Sequence, residues 1–141
     1  MIPEIRKISC WSDSNGITAY QVDYSNSFNV MRTADEVRPQ SLPQGSITLP
    51  EGEFVTSFFG MSDQKIELLA FTSTDGQVLV CGNPLMSGEM FGPLGGYYLL
   101  GFDGHFSKDD KYLDRLELKV ISTTDAAPYL AWERQTNKQN T

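Results

Sequence analysis

The sequence predicts an all-β fold in which three similar strand pairs close around a shared axis. Two observations support this prediction. Short runs of Val, Ile, Tyr, Phe and Thr are separated by turn signals, and one strand–turn–strand plan is repeated along the chain. The best helix candidate, residues 109–121, alternates apolar and charged residues from Arg115 to Val120, which indicates a strand. We therefore expect no helix longer than about two turns.

The repeat comprises three segments, each with an apolar strand, a polar turn and a second apolar strand. They are IRKISCW-SDSNG-ITAYQVDY, EFVTSFFG-MSDQK-IELLAFTS and YYLLGFDG-HFSKDDKY-LDRLELKV. When Ile17, Ile66 and Leu113 are aligned, apolar residues follow at matching positions in all three copies. These matching residues are expected to face a common core: Tyr20, Val22, Leu69, Phe71, Leu116 and Leu118.

A chain of 141 residues fits one domain. We expect residues 1–125 to form this domain and residues 126–141 to form a C-terminal extension. Within the extension, Pro128 to Glu133 is predicted to be an edge strand, followed by a disordered tail. This strand would either replace the opening strand of the domain or pair with a neighbouring chain. In the second case the protein would form a homo-oligomer. Residues 34–46 and 82–96 are predicted to be long irregular connections.

The formal net charge of −7 makes nucleic acid and bare membrane poor partners for the chain. The first residues include Glu4, Arg6 and Lys7 and lack the apolar run of a signal peptide. The localisation is therefore left open between the cytoplasm and secretion after processing. Two cysteines are too few for a disulfide framework, and Cys10 and Cys81 are expected to be buried reduced thiols.

Catalytic and cofactor motifs are absent from the sequence, so we expect a binding module and not an enzyme. The lone histidine, His105, cannot form a His-rich metal site, and no phosphate-cradling or nucleophile motif occurs. We therefore expect no metal and no cofactor. The adjacent Asp109 and Asp110 are explained as solvated charge, and a small hydrolase is the alternative that turnover on glycosides or esters would support.

Four stretches, taken in order, resemble the jacalin-related lectins: ITLPEGEFVTSFFG, IELLAFTSTDGQ, FGPLGGYYLLGFDG and KYLDRLELKVI. The segment 52–55 (GEFV) is similar to a strand ending of that family, and 72–76 (TSTDG) to its turn. The segment 110–114 (DKYLD) is similar to its G-x-x-x-D motif. The resemblance covers about residues 5–121. It implies a β-prism I, with three antiparallel Greek-key sheets in pseudo-three-fold symmetry, and a carbohydrate-binding function with a glycan or glycoprotein as partner.

The resemblance also implies a sugar site at one end of the prism. The carboxylate of Asp114 would accept hydrogen bonds from two sugar hydroxyls, which charge assistance would strengthen. The backbone amides of Tyr112 and Leu113 would point at the sugar, and the Tyr112 ring would stack on it. Thr18 and Glu67 hold the equivalent position in the other repeats, and since neither is a short carboxylate we expect only one site.

The loop from His105 to Asp114 and the turn at Gly92 to Gly96 are expected to complete this site. Lys111 and Asp110 supply polar groups, and Gly95 and Gly96 allow close backbone approach. Asp110 stands where the motif has glycine, and we do not expect this sequence to include the opening strand of the family. These departures favour the alternative, a non-catalytic protein-interaction or assembly domain on the same fold that has lost sugar binding. Asp114 would then merely cap its own turn.

Overall fold

The structure, a computed structural model, describes residues 3–14, 16–34, 38–62, 65–82, 89–91, 96–108 and 111–126. Most of these residues lie in strands, and residues 123–126 form one helical turn. The described part of the chain contains no helix with the length and apolar character needed to cross a membrane. The strands are β1 (Ile5–Asp13), β2 (Gly16–Tyr24), β3 (Asn29–Thr33), β4 (Gly45–Thr48), β5 (Val55–Ser62), β6 (Ile66–Ser73), β7 (Val78–Gly82), β8 (Glu89–Phe91), β9 (Tyr97–Phe106) and β10 (Leu113–Ser122).

The strands form three antiparallel sheets, as expected for a β-prism. Two sheets have four strands, in the orders β3-β2-β1-β4 and β7-β6-β5-β8, and the third has the order β10-β9 among the described residues. The central hairpins β1–β2, β5–β6 and β9–β10 are the three segments of the sequence repeat. The all-β prism prediction is therefore confirmed, while β8 corrects the expectation that residues 82–96 are irregular throughout.

Each central hairpin carries a β-bulge one position after the aligned residue of the repeat. The pairing skips Thr18 in the first hairpin, Glu67 in the second and Asp114 in the third. A bulge inserts one unpaired residue and reverses the alternation beyond it. This explains why Ile17 and Tyr20, which are an odd number of positions apart, are both buried.

The core lies between the three sheets. Of the six residues predicted to line it, Tyr20, Val22, Leu69 and Phe71 are buried. Leu116 and Leu118 pack against the core but are only half-buried, which corrects the prediction for the third sheet. Leu116 pairs with Gly104, which has no side chain to cover it.

The two cysteines form a disulfide between the first two repeats. Cys10 on β1 and Cys81 on β7 are both buried, and their Cα atoms are 6.1 Å apart. The expectation of burial is confirmed, but the expectation of reduced thiols is wrong. Only Cys10 lies within a segment of the repeat, and the repeat does not indicate that its strand meets the strand of Cys81 across the core.

Two glycines of β9 allow the third hairpin to pack against β2. A Cβ atom at Gly104 would lie 2.6 Å from Leu113 Cδ1, and one at Gly101 would lie 2.8 Å from the Tyr24 hydroxyl. The backbone N–H of Gly104 also donates a 2.7 Å hydrogen bond to the hydroxyl oxygen of Tyr20. This packing holds the third hairpin, which carries Asp114, against the first sheet.

Candidate functional site

The tips of the three hairpins meet at one end of the prism, around Tyr112. The Tyr112 hydroxyl donates a 3.0 Å hydrogen bond to Oδ2 of Asp13, in the first hairpin. Its ring packs on Gly16, where a Cβ would come within 3.0 Å of Cδ1. The ammonium nitrogen of Lys65, at the tip of the second hairpin, lies 4.3 Å from the ring centroid, which is a cation–π distance. Tyr112 thus fixes the relative positions of the three tips.

The loop before Tyr112 is closed by its own backbone. Ser107 donates from its N–H to the carbonyl oxygen of Tyr112 at 2.9 Å, and Lys111 donates to the carbonyl of Ser107 at 3.1 Å. Lys111 has φ of 64°, a left-handed conformation that few non-glycine residues adopt. The close turn required at this end of the prism is therefore made by Lys111, one position after the motif glycine that the chain lacks.

Asp114 is the unpaired residue of the bulge on β10 and lies beside the lone histidine. Its Oδ1 is 2.7 Å from Nδ1 of His105 on β9, and its side chain is 26% exposed. The second oxygen, Oδ2, makes no hydrogen bond within the described ranges. Bulges often re-aim side chains at functional sites. Here the bulge and the histidine hold an accessible carboxylate in one orientation.

The other predicted site residues fall in different places. The side chain of Leu113 is completely buried in the core, and the contact expected of this residue, through its backbone amide, stays a prediction. Gly96 lies at the opposite end of the third hairpin, because Tyr97 pairs with Ser122 while Phe106 pairs with Leu113. Its carbonyl accepts a hydrogen bond from the N–H of Thr123. The structure therefore separates Gly96 from Asp114, and the predicted Asp110 and Gly95 lie outside the described residues.

The equivalent bulges in the other hairpins do not present an accessible carboxylate. Glu67 is 9% exposed, and its Oε2 is buried without a hydrogen-bond partner in the described structure. Thr18 is half-buried and carries a hydroxyl instead of a carboxylate. Among the three bulge residues, Asp114 alone combines a carboxylate with solvent access.

Sequence reasoning missed the role of His105, which it considered as a metal ligand and as a loop boundary. The contact follows from the hairpin register, in which His105 is the partner of Arg115, the residue directly after the bulge at Asp114. The sequence alone does not give this register. The described residues contain no group of three or more His, Cys, Asp or Glu side chains that could hold a metal ion.

Comparison with known proteins agrees with this architecture. The family model for the Jacalin-like lectin domain matches residues 2–118. The chain belongs to this family. The jacalin-like lectin family and its fold are non-catalytic, and carbohydrate binding is its activity at the level of the family. No curated protein matches this jacalin-like chain.

Several solved structures share the fold of this jacalin-like domain at low sequence identity. AcmJRL, a mannose-binding jacalin-related lectin from Ananas comosus, is 18% identical, with a TM-score of 0.64 and coverage of 84% of this chain and 83% of its own. Artocarpin in complex with mannotriose is 19% identical, with a TM-score of 0.65 and the same two coverages. PirB is 14% identical, with a TM-score of 0.69, and the match covers 85% of this chain but only 29% of PirB.

Proposed function

We propose that this jacalin-like domain is a lectin that binds one sugar at the end of the prism where the hairpin tips meet. The observation that supports this most is the carboxylate of Asp114, which lies at a bulge, contacts His105 through Oδ1 and belongs to a side chain that is 26% exposed. The resemblance of residues 110–114 to the G-x-x-x-D motif of the family implies that Asp114 is the aspartate that contacts the sugar. The neighbours in complex with melibiose and mannotriose bind glycans, which supports a glycan as the ligand class here.

The chemistry of the carboxylate fits a sugar hydroxyl. An ionised carboxylate only accepts hydrogen bonds, and its bonds are shorter and stronger than those between neutral groups. A sugar that donates to Oδ2 leaves the bond between Oδ1 and His105 intact. Such a shallow single site binds weakly on its own and gains avidity when several copies engage one glycoprotein.

Tyr112 is already engaged in contacts that limit stacking of a sugar on its ring. Its hydroxyl bonds to Asp13, and Lys65 lies over its ring. A sugar that stacked on the ring face under the ammonium group would have to displace Lys65. We therefore assign to Tyr112 the task of fixing the hairpin tips, while Asp114 contacts the sugar.

A glycan array tests this proposal on the intact protein. Wild type is expected to bind a defined set of glycans, and Asp114→Ala is expected to lose these signals. Lys7→Ala is a matched control, because Lys7 is exposed on β1, outside the tips of the hairpins. If Asp114→Ala keeps the wild-type array pattern and remains folded, the sugar site lies elsewhere.

A second candidate function is a protein-interaction or assembly domain without sugar binding. It is favoured by a cleft of about 350 Å³ that Tyr24, Phe28 and Leu100 help to line, on the side of the prism. The side chain of Phe28 is 71% exposed there, and exposed apolar surface often marks a contact site. An empty glycan array together with loss of self-association in Phe28→Ser would favour this function.

A further inference from the structure

A polar depression lies on the third hairpin directly beside the proposed sugar site. It has a volume of about 350 Å³, at the low end of the range for small-molecule sites. Each of the two strands contributes three residues to its lining. They are Asp103, Gly104 and His105 of β9, and Arg115, Leu116 and Glu117 of β10. The depression is therefore built from the two strands that hold Asp114.

The register of the hairpin explains the shape of this depression. His105 pairs with Arg115 and Asp103 pairs with Glu117, so these four side chains form two cross-strand pairs on the outward face. Between the two pairs, Gly104 is opposite Leu116. Gly104 and Leu116 face the opposite, core side of the hairpin, where a Cβ on Gly104 would come within 3.0 Å of Tyr20 and Leu113. The intervening residues therefore put no side chain into the outward space between the two pairs.

Two of the charged groups are available for a ligand. Asp103 is partly engaged, since its Oδ1 is 3.4 Å from the Tyr20 hydroxyl and 3.6 Å from Nε of Arg32. Arg115 and Glu117 are exposed and make no ion pair or hydrogen bond within the described ranges. A guanidinium supplies donors and a carboxylate supplies acceptors, so together they match the mixed donor and acceptor character of sugar hydroxyls.

His105 connects the depression to the proposed site. Its Nδ1 is bonded to Asp114, and the same side chain lines the depression. Only the imidazole of His105 therefore lies between a ligand bound at Asp114 and the depression. We propose that the depression binds the second residue of an oligosaccharide whose first residue is held by Asp114, with Arg115 and Glu117 as its specificity-determining contacts. This inference rests on the proposed sugar-binding function.

The test compares short and long sugars on the full chain by titration calorimetry. The probes are mannose with mannotriose, and galactose with melibiose. In one of these two pairs, wild type is expected to bind the oligosaccharide about tenfold more tightly than the monosaccharide, because one hydrogen bond to a charged group contributes about this much. Arg115→Ala and Glu117→Ala should each move this ratio towards one. Lys119→Ala should leave both affinities unchanged, since Lys119 lies on the same strand face beyond the depression.

The outcomes separate this inference from the proposed function. One outcome refutes only the second subsite: the sugars bind, Asp114→Ala abolishes binding, but wild type binds the oligosaccharide and the monosaccharide equally tightly. The same conclusion follows if Arg115→Ala and Glu117→Ala both leave the ratio of the two affinities unaltered. In either case the site at Asp114 stands. If none of the four probes binds to folded wild type, the proposed function fails for these sugars and the subsite fails with it. Melting temperatures of the exposed-residue variants verify that each remains folded.

Discussion

The hydroxyl of Tyr112 donates a 3.0 Å hydrogen bond to Oδ2 of Asp13 and so joins the tips of the third and first hairpins. The bond connects residues at opposite ends of the described chain. Asp13 also accepts a bond from the N–H of Gly16 through Oδ1, which orients its carboxylate towards Tyr112. The geometry of the proposed site therefore depends on this contact.

A double-mutant cycle measures that contact. Tyr112→Phe is expected to lower the free energy of unfolding by about 0.5–1.5 kcal/mol, the usual net contribution of one hydrogen bond. Asp13→Ala also loses the bond to Gly16, so its single effect is larger. In urea unfolding, the two substitutions together should cost less than the sum of the single costs. Strict additivity would show that the bond contributes nothing to stability.

The disulfide between Cys10 and Cys81 should contribute strongly to stability because it joins two sheets across the core. Cys10→Ala with Cys81→Ala is expected to lower the free energy of unfolding by about 2–4 kcal/mol. Reductant should lower the melting temperature of wild type and leave that of the double variant unchanged. Two thiols that react with an alkylating agent in the unreduced, unfolded protein would contradict the assignment.

The phenol of Tyr20 predicts a loss of stability at alkaline pH. Burial raises the pKa of Tyr20 to about 12, and the hydrogen bond from Gly104 only partly offsets this effect. An unfolded tyrosine titrates near pH 10. The folded state retains the proton longer, so this contribution is complete below about pH 10 and is lost as the pH rises towards 12.

Unfolding at pH 9 and pH 11.5 measures this effect. Wild type should lose more free energy of unfolding between the two values than Tyr20→Phe does, while Tyr97→Phe, which changes an exposed tyrosine, should behave as wild type. Equal losses in wild type and Tyr20→Phe would mean that Tyr20 does not titrate in this window.

The arrangement of strands was predictable from the sequence where side chains alternate. The aligned residues Ile17, Ile66 and Leu113 are all buried, and each is followed by the same bulge. The bulges could not be predicted from the sequence, because a residue is recognised as bulged only when its pairing with the neighbouring strand is known. The disulfide was missed for a similar reason: Cys10 and Cys81 meet through packing of two sheets, which hairpin patterns do not encode.

The candidate site was predictable only in part. The resemblance to the family motif indicated Asp114 as a candidate, and the structure gives it a partly exposed side chain at the tip of the third hairpin. Gly96 was grouped with Asp114 because a glycine allows close approach of the backbone to a ligand. In an antiparallel hairpin, however, the residue before the first strand lies beside the residue that follows the second strand, which here is Thr123. His105 was overlooked because its partner depends on the register.

The C-terminal extension is expected to complete the third sheet. In the other two sheets, the strand that follows the hairpin pairs with its outer edge: β3 with β2, and β7 with β6. The residues that follow β10 hold the same place in the chain, and Ala126 is buried. We therefore propose that Pro128 to Glu133, which lie outside the described residues, pair with β10.

Deletion of residues 127–141 tests this proposal, with deletion of 136–141 as the matched control. The longer deletion should lower the melting temperature of the monomer, and the control should not. A changed oligomeric state without loss of monomer stability would instead indicate pairing with a neighbouring chain. If neither property changes, the segment has no role in the sheet.

Binding of a glycan-array hit to wild type and Asp114 variants, measured by titration calorimetry, tests the central proposal most directly. If the sugar makes two charge-assisted hydrogen bonds with Asp114, Asp114→Ala should cost about 3 kcal/mol, more than a hundredfold in affinity. Asp114→Asn keeps one acceptor oxygen and should fall between wild type and Asp114→Ala. Equal affinities for wild type and both variants, with all three proteins folded, would contradict a sugar site at Asp114.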